Sequence, residues 1–403
     1  MRGRTNASNG GIFLNATTDN FEVATGNSIV AGDFVEYMYD TDVKPLNSTF
    51  SGVSYLIDAT TQTYIALIGT YPTLFTYING EISVVYSYST SATHLVQFDT
   101  THYAILNSST YKFELLYCTT SAISKITETS TTYSNVGECA RVNATKIAFR
   151  NGNNYLKTVN TDSGYTTLSV VDGVNTQNFK LVGASSDKIV IMQTTSSASS
   201  YSNTIIVYNA DTFTNLGSFT ISTDYMSLNV LPEIVIDDRY FVLRHTERIG
   251  SSPYKYYMRL YVIDSVNLRS VTSLQFTDVN NNALNVRVST INTQNEFVVE
   301  IISSNNSYLY WVKYDTELSS LSKSEYTQFN KTGYLYAFST KKFALMINNE
   351  GYANLDTTSG KVIVGTPTNR VKEWAGSGNP LGVAKQSGNA GDTIAVYIPQ
   401  VNS

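Results

Sequence analysis

Lys146-Ile147-Ala148-Phe149, a polar turn, and then Tyr155-Leu156-Lys157-Thr158-Val159 form the pattern that decides the fold. A short apolar or β-branched run bounded by Asn and Gly reads as a strand, and two such runs across a tight turn read as a hairpin. The same pair recurs along the chain. First strands stand at Tyr64-Ile65-Ala66-Leu67, Tyr103-Ala104-Ile105-Leu106, Lys188-Ile189-Val190-Ile191, Tyr240-Phe241-Val242-Leu243, Glu296-Phe297-Val298-Val299 and Lys342-Phe343-Ala344-Leu345. With the Lys146 strand included, successive starts lie 39, 43, 42, 52, 56 and 46 residues apart. Each is answered by a second strand, such as Thr204-Ile205-Ile206-Val207-Tyr208 or Tyr308-Leu309-Tyr310-Trp311-Val312. Several second strands end in an acidic or Asn turn, as at Asp264-Ser265-Val266, followed by a weaker third strand.

A period in the low-to-mid forties with three or four short strands per unit predicts β-propeller blades. One small twisted sheet cannot bury both its faces, so neighbours must stack around an axis. The count predicts seven blades over residues 49–366, or six or eight if the end units are miscounted. A β-sandwich or solenoid would use similar strands and is the competing architecture. The last unit is expected to pair with the first, since open sheet edges invite unwanted pairing.

Composition agrees with an all-β chain. Charged residues make up 15% of 403, Tyr supplies 30 positions, and Ser, Thr and Asn fill much of the rest. These residue types suit pleated surfaces and tight turns. A net charge of −5 opposes a phosphate-tracking role, so no nucleic-acid partner is expected. No stretch approaches the apolar length of a membrane span, and Met1-Arg2-Gly3-Arg4-Thr5-Asn6 lacks the apolar core of a secretory signal. Two cysteines, Cys118 and Cys139, fall within one repeat as counted above. They could be neighbours in space, but reduced, partly buried thiols are expected; a disulfide framework or four-thiolate zinc site is not.

The two ends hold related pieces. Residues 1–48 contain Val30-Ala31-Gly32-Asp33-Phe34-Val35-Glu36-Tyr37. Residues 367–403 contain Gly382-Val383-Ala384-Lys385 and Asn389-Ala390-Gly391-Asp392-Thr393-Ile394-Ala395-Val396-Tyr397. Each is a turn carrying Ala-Gly-Asp followed by a short alternating strand, and neither is long enough to bury a core alone. Closure of the ring would bring them together as one small β-barrel-like module with the propeller inserted between its halves.

These terminal motifs resemble a small β module of tailed-phage structural proteins, seen in tail-fibre and capsid-decoration proteins of phages and prophages of Clostridium-like bacteria. The resemblance covers some 50–60 residues split between the ends. It implies a virion protein made in the host cytoplasm and released by lysis, docked on other virion proteins through Gly32, Asp33, Phe34, Gly382, Val383, Gly391 and Asp392. A homo-oligomeric or multi-copy assembly would follow.

Catalytic signatures are sparse. His94, His102 and His245 lie in different repeats without ligand spacing, so neither a metal nor a cofactor is expected. Glu233, Asp237 and Asp238 could supply a carboxylate pair, but Asp237-Asp238 before a strand is most simply a turn. Residues 160–167, Asn-Thr-Asp-Ser-Gly-Tyr-Thr-Thr, partly resemble the Asp-box of sialidases, itself a structural turn. The stronger signal is tyrosine in two lengthened inter-strand segments, 194–203 and 246–256. Insertions on a rigid ring are where binding concentrates. They nominate Tyr201, Arg248, Tyr254, Lys255 and Tyr256 as ligand-binding residues, with a bacterial surface glycan or protein as the ligand. The resulting expectation is a non-enzymatic tail-fibre or baseplate protein with a propeller head for host attachment. A capsid or tail decoration protein and a glycan-cleaving propeller enzyme are the alternatives.

Overall fold

The computed structural model describes residues 16–24, 26–40, 44–46, 50–196, 201–223, 235–249, 255–281, 286–290, 295–303, 306–338, 342–347, 351–357, 361–376 and 380–399. All regular elements among them are β-strands. Seven antiparallel sheets follow one another along the chain as the blades of a propeller.

Blade 1 is Phe50–Asp58, Thr63–Ile68, Tyr71–Ile78 and Glu81–Ser87. Blade 2 is Ala92–Gln97, His102–Asn107, Phe113–Cys118 and Ile123–Glu128. Blade 3 is Val136–Asn143, Lys146–Asn151, Tyr155–Thr161 and Leu168–Asn175. Blade 4 is Phe179–Ser185, Lys188–Ser196, Tyr201–Asn209 and Asn215–Thr223. Blade 5 shows Tyr240–Ile249, Lys255–Asp264 and Arg269–Asn281, preceded by an isolated Val235↔Phe241 bridge. Blade 6 is Val286–Thr290, Glu296–Ser303, Asn306–Asp315 and Ser320–Lys323, with Thr327–Phe329 also on its third strand. Blade 7 is Gly333–Ala337, Lys342–Ile347, Gly351–Asp356 and Ile363–Val364.

We label the four strands of a blade A to D; blade 5 begins at B. The A strands of neighbouring blades touch one another and so surround the axis. D strands lie outermost, as the exposed run Glu81–Ser87 shows. The "first" strands read from the sequence are therefore B strands, and each repeat begins one strand earlier than its sequence signal. Cys118 accordingly belongs to blade 2 and Cys139 to blade 3, rather than to one unit. Both thiols are free.

The B strands are continuously apolar because both their faces are buried between blades. Ile147 and Phe149 join the cluster shared with blade 2, whereas Ala148 between them joins the cluster shared with blade 4. In blade 1, Ile65 and Leu67 face blade 2 while Tyr64, Ala66 and Ile68 face blade 7. Strand alternation thus divides one short run between two cores.

Closure differs from the expected strand pairing. Every blade is a meander of consecutive strands, and no described ladder joins blades 7 and 1. Side chains seal this junction. Tyr64, Phe75 and Tyr77 pack on Phe338, with Tyr77 stacked on it at 4.1 Å. The Tyr64 hydroxyl donates to the Phe338 carbonyl at 2.8 Å, and Tyr77 donates to Asn354 Oδ1 at 2.8 Å. Asn354 Nδ2 donates to the Gly80 carbonyl at 2.9 Å, which also accepts from Tyr352 at 3.2 Å. A backbone tie is the Lys44↔Tyr352 bridge, where a Cβ on Gly351 would overlap the Lys44 carbonyl.

The terminal strands form a closed barrel in the order Ala16–Val23, Thr366–Glu373, Phe34–Asp40, Gly382–Ala384 and Thr393–Pro399. Its core holds Phe21, Val23, Ile29, Val35, Val371, Ala384, Ile394 and Val396. The two Ala-Gly-Asp segments play equivalent parts in it. Asp33 N–H donates to the Val30 carbonyl at 3.0 Å, and Asp392 N–H donates to the Asn389 carbonyl at 2.9 Å. Each Asp Oδ2 accepts the first amide of its own turn at 2.8 Å, from Val30 and Asn389 respectively. Gly32 and Gly391 have φ of 96° and 88°, as the third position of a type II turn requires.

The halves are interlocked. The first turn docks on Ala384, with Gly32 N–H donating to its carbonyl at 2.8 Å and Ala384 N–H to the Asp33 carbonyl at 2.9 Å. The second turn docks on Val23 in the same way, through Gly391 N–H at 2.9 Å and the Asp392 carbonyl at 2.8 Å. Ser28–Ile29 and Gly388–Asn389 pair with each other. Strand pairs Ala16–Val23 with Thr393–Pro399, and Gly382–Ala384 with Phe34–Asp40, complete the correspondence. The barrel is thus built from two like halves, with Thr366–Glu373 as a fifth strand that breaks the symmetry.

Candidate functional site

Because each blade is an antiparallel meander, its B–C hairpin and the link to the next blade lie on one side of the ring. The insertions in blades 4 and 5 are on this side, but they lengthen strands rather than loops. In blade 4 the B–C ladder runs to Ser196↔Tyr201, and in blade 5 to Ile249↔Lys255 with Arg248↔Tyr256. The sequence had suggested loops over 194–203 and 246–256. Thr194 and Thr195 instead oppose Asn203 and Ser202, and Thr246 opposes Met258. Tyr254 lies outside the described residues. Tyr201, Arg248, Lys255 and Tyr256 are placed as strand positions at the hairpin ends.

These positions belong to a wider pattern. Tyr71, Tyr155 and Tyr201 open strand C in blades 1, 3 and 4. Tyr111 precedes strand C in blade 2, while Tyr256, Tyr308 and Tyr352 fall within the first three residues of strand C in blades 5, 6 and 7. Every blade carries a tyrosine where its B–C hairpin enters strand C. In blade 7 it is buried in the ring closure, as described above. In blades 1 to 3 the rings are open to solvent, with Tyr71, Tyr111 and Tyr155 exposed by 45%, 46% and 48%. Sequence reasoning passed over these three because their hairpins are short; their recurrence at one point of the repeat was the available signal.

Beside Tyr155 the blade 3 sheet forms a groove of about 220 Å³, lined by Asn151, Tyr155, Leu156, Lys157, Asp172, Gly173 and Asn175. Gly173 has no room for a side chain, since a Cβ there would overlap the Phe213 ring and the Leu156 carbonyl. Lys157 pairs with Asp172 and stands 5.8 Å from the ring centres of both Tyr133 and Tyr155. The groove's charges are therefore internally balanced.

The other candidates have structural partners. Asp237 Oδ1 accepts the amides of Arg239 and Tyr240 at 2.8 and 2.7 Å, which makes the expected turn, and Asp238 accepts the Ser185 hydroxyl. Glu233 lies outside the described residues. Asp162 accepts the amides and hydroxyls of Thr166 and Thr167, so the Asp-box-like segment is a turn. His94 Nε2 lies 2.7 Å from the Gly137 carbonyl, and burial lowers its pKa. His102 meets Asp99 at 3.1 Å and stacks on Tyr165 with ring centres 3.7 Å apart, which ties blade 2 to blade 3. Burial would raise the Asp99 pKa. Hydrogen bonds from the Thr101 and His102 amides and the His102 ring oppose it, and the group is held at about 2. Among the described residues no group of three His, Cys, Asp or Glu could hold a metal ion.

The anchoring residues nominated from the sequence all lie in the barrel. Gly32, Asp33, Gly391 and Asp392 make the two turns. Phe34 packs edge-on against Trp374 with ring centres 5.8 Å apart, and Val383 sits between Phe34 and Tyr397. Gly382 has no room for a side chain, because a Cβ would overlap the Tyr397 carbonyl.

No family model matches the sequence, and a search of curated proteins found no match. Solved structures are similar in fold. A chain of Kuenenia stuttgartiensis hydrazine synthase gives a TM-score of 0.52 at 12% identity, over 79% of this chain and 97% of that one. A chain from a mitotic checkpoint complex gives 0.50 at 8% identity, over 78% and 92%. A Dos1 propeller gives 0.46 at 10% identity over 94% of each chain. At such identities the first two likenesses bear on fold alone. The class defined is a seven-bladed β-propeller. This particular chain adds a barrel closed from its own two ends.

Proposed function

We propose that this chain is a structural protein of a tailed phage or phage-tail-like particle, whose barrel docks on other particle proteins while the propeller presents its B–C side to a bacterial surface. The observation that supports the reading most is the barrel. It is a self-contained core distinct from the ring, and it is built around the two Ala-Gly-Asp turns that carry the resemblance to phage modules. The ring then serves as a rigid platform, with its hairpin ends as the variable contact surface.

Cryo-electron microscopy of the assembled particle tests this by locating the chain and counting its copies. Density at the tail tip in tens of copies or fewer is the expected result. A lattice over capsid or tail shaft would make it a decoration protein and retire host attachment. Trimming the blade 5 hairpin back to the Thr246↔Met258 pair removes Arg248, Tyr254, Lys255 and Tyr256 and spares the apolar part of the ladder. Cell binding should weaken with the ring intact; unchanged binding would remove these residues from the site.

A further inference from the structure

We propose that the B–C side of the ring binds a neutral, repeating polysaccharide, with the groove beside Tyr155 in blade 3 as one sugar subsite and Tyr71 and Tyr111 as stacking platforms in blades 1 and 2. This rests on the surface-attachment reading and gives it a ligand class.

Three features point to a neutral sugar. The exposed Tyr155 ring offers a flat apolar face with a hydroxyl at its tip, the amphipathic surface that suits one apolar face of a sugar ring. Asn151, Asn175 and Asp172 supply amide and carboxylate groups on the same groove, able to donate to and accept from sugar hydroxyls. The Lys157–Asp172 pair satisfies its own charges, so the site holds no free cation to favour an anionic ligand. The chain's net charge of −5 adds to that bias. At about 220 Å³ the groove is smaller than the roughly 300–1,000 Å³ of pockets that enclose drug-sized ligands, and it suits a single sugar unit.

One shallow subsite binds weakly. The recurrence of the tyrosine in successive blades supplies what one site lacks. A polymer with a repeating unit can engage several platforms at once, and linked sites can gain about 10²–10⁴ over a single one. Tyr201 and Tyr256 hold the equivalent strand positions in blades 4 and 5.

The test is saturation-transfer NMR on the full chain, with oligomers of glucose, galactose, mannose, N-acetylglucosamine and N-acetylgalactosamine, and dextran sulfate as the anionic counterpart. At least one neutral oligomer should receive saturation, and its affinity should rise with length. Tyr155→Ala should weaken binding about tenfold, Tyr155→Phe much less, and Tyr71→Ala with Tyr111→Ala should flatten the length dependence. All three rings are solvent-exposed, so unchanged circular dichroism should confirm folding. Binding of dextran sulfate alone, of no oligomer, or of neutral oligomers with no response to these substitutions would overturn the proposal. Particle location is read separately. A chain absent from the tail but binding sugar at Tyr155 would sink the attachment reading and leave the subsite standing; tail-tip density without sugar binding would do the reverse.

Discussion

Among the described residues no ladder joins blades 7 and 1, so side-chain contacts, the Asn354 amide among them, should carry much of the closure. Asn354 is 4% exposed and links Tyr77 to Gly80 across the junction. We predict that Asn354→Ala destabilises the ring by about 2–4 kcal/mol. The Tyr77 hydroxyl, on a residue 5% exposed, loses its acceptor, and a buried orphan of this kind costs about 1–3 kcal/mol. The Gly80 carbonyl suffers less because Tyr352 still donates to it. The remainder is the amide's lost packing. Tyr77→Phe removes the hydroxyl that would be orphaned, so the double variant should be less destabilised than the sum of the two single ones, with a coupling of about 1–2 kcal/mol. Urea unfolding gives the energies, and hydrogen exchange locates them. Peptides over 71–78 and 351–356 should open before blades 3 and 4. An additive cycle, or protection lost evenly around the ring, would refute side-chain closure of this junction.

Acid should loosen the turn of blade 5. Burial alone would raise the Asp264 pKa, but the Arg239 fork at 3.0 and 2.7 Å and the amides of Asn267 and Val266 hold it down at about 2. A lowered folded-state value gives stability that is present above the ordinary 3.8 and lost as pH falls toward 2. Thermal melts from pH 5 to 2 should therefore show a steeper acid decline in the parent than in Asp264→Asn, and parallel curves would count against the pair. In the barrel, Asp33→Ala and Asp392→Ala should each cost about 1 kcal/mol. Markedly unequal losses in barrel hydrogen exchange would deny the equivalence of the halves. Burial pushes the Cys118 thiol up to about 12 and raises Cys139 as well. Iodoacetamide at pH 8 should leave the buried Cys118 unmodified until urea is added and label the partly exposed Cys139 slowly at most; prompt labelling of Cys118 in the folded chain would contradict its burial.

The B and C strands were legible because burial between two blades removes alternation and leaves short, wholly apolar runs such as Ile189-Val190-Ile191. The A strands were not. Val136–Asn143 is half-buried beside the axis and shifts register twice against its neighbour, so neither period nor continuity marks it. That is why the counted repeats began on strand B and why the two cysteines fell into one unit. The long blade 4 hairpin was read as a loop because Thr, Ser and Asn dominate it. Thr194, Thr195, Ser202 and Asn203 nevertheless pair as strand, since an extended ladder satisfies their backbone whatever the polarity of the side chains. The exposed tyrosines were hidden for a different reason. A residue opening an ordinary short hairpin shows its significance only when seven hairpins are laid over one another.

The barrel bears on the ring's stability as well as on attachment. Propeller blades that share no strand rely on packing to hold the first against the last, and here that packing rests on aromatic rings and a few buried hydrogen bonds. The chain enters blade 1 beside Lys44 and Tyr352 and leaves blade 7 directly into the Thr366–Glu373 strand. That strand pairs with both Ala16–Val23 and Phe34–Asp40, so it ties the exit of the ring to the segments that precede its entrance. The seven-residue ladder between Ala16–Val23 and Thr393–Pro399 does the same across almost the whole length of the chain. Closing the barrel therefore restricts the separation of blades 1 and 7 and raises their effective concentration for each other. The two cores are coupled without sharing a side chain. A lesion such as Val396→Ala in the barrel should lower protection at 71–78 and 351–356 in the ring. The same lesion should leave blades 3 and 4, on the far side of the circle, unchanged.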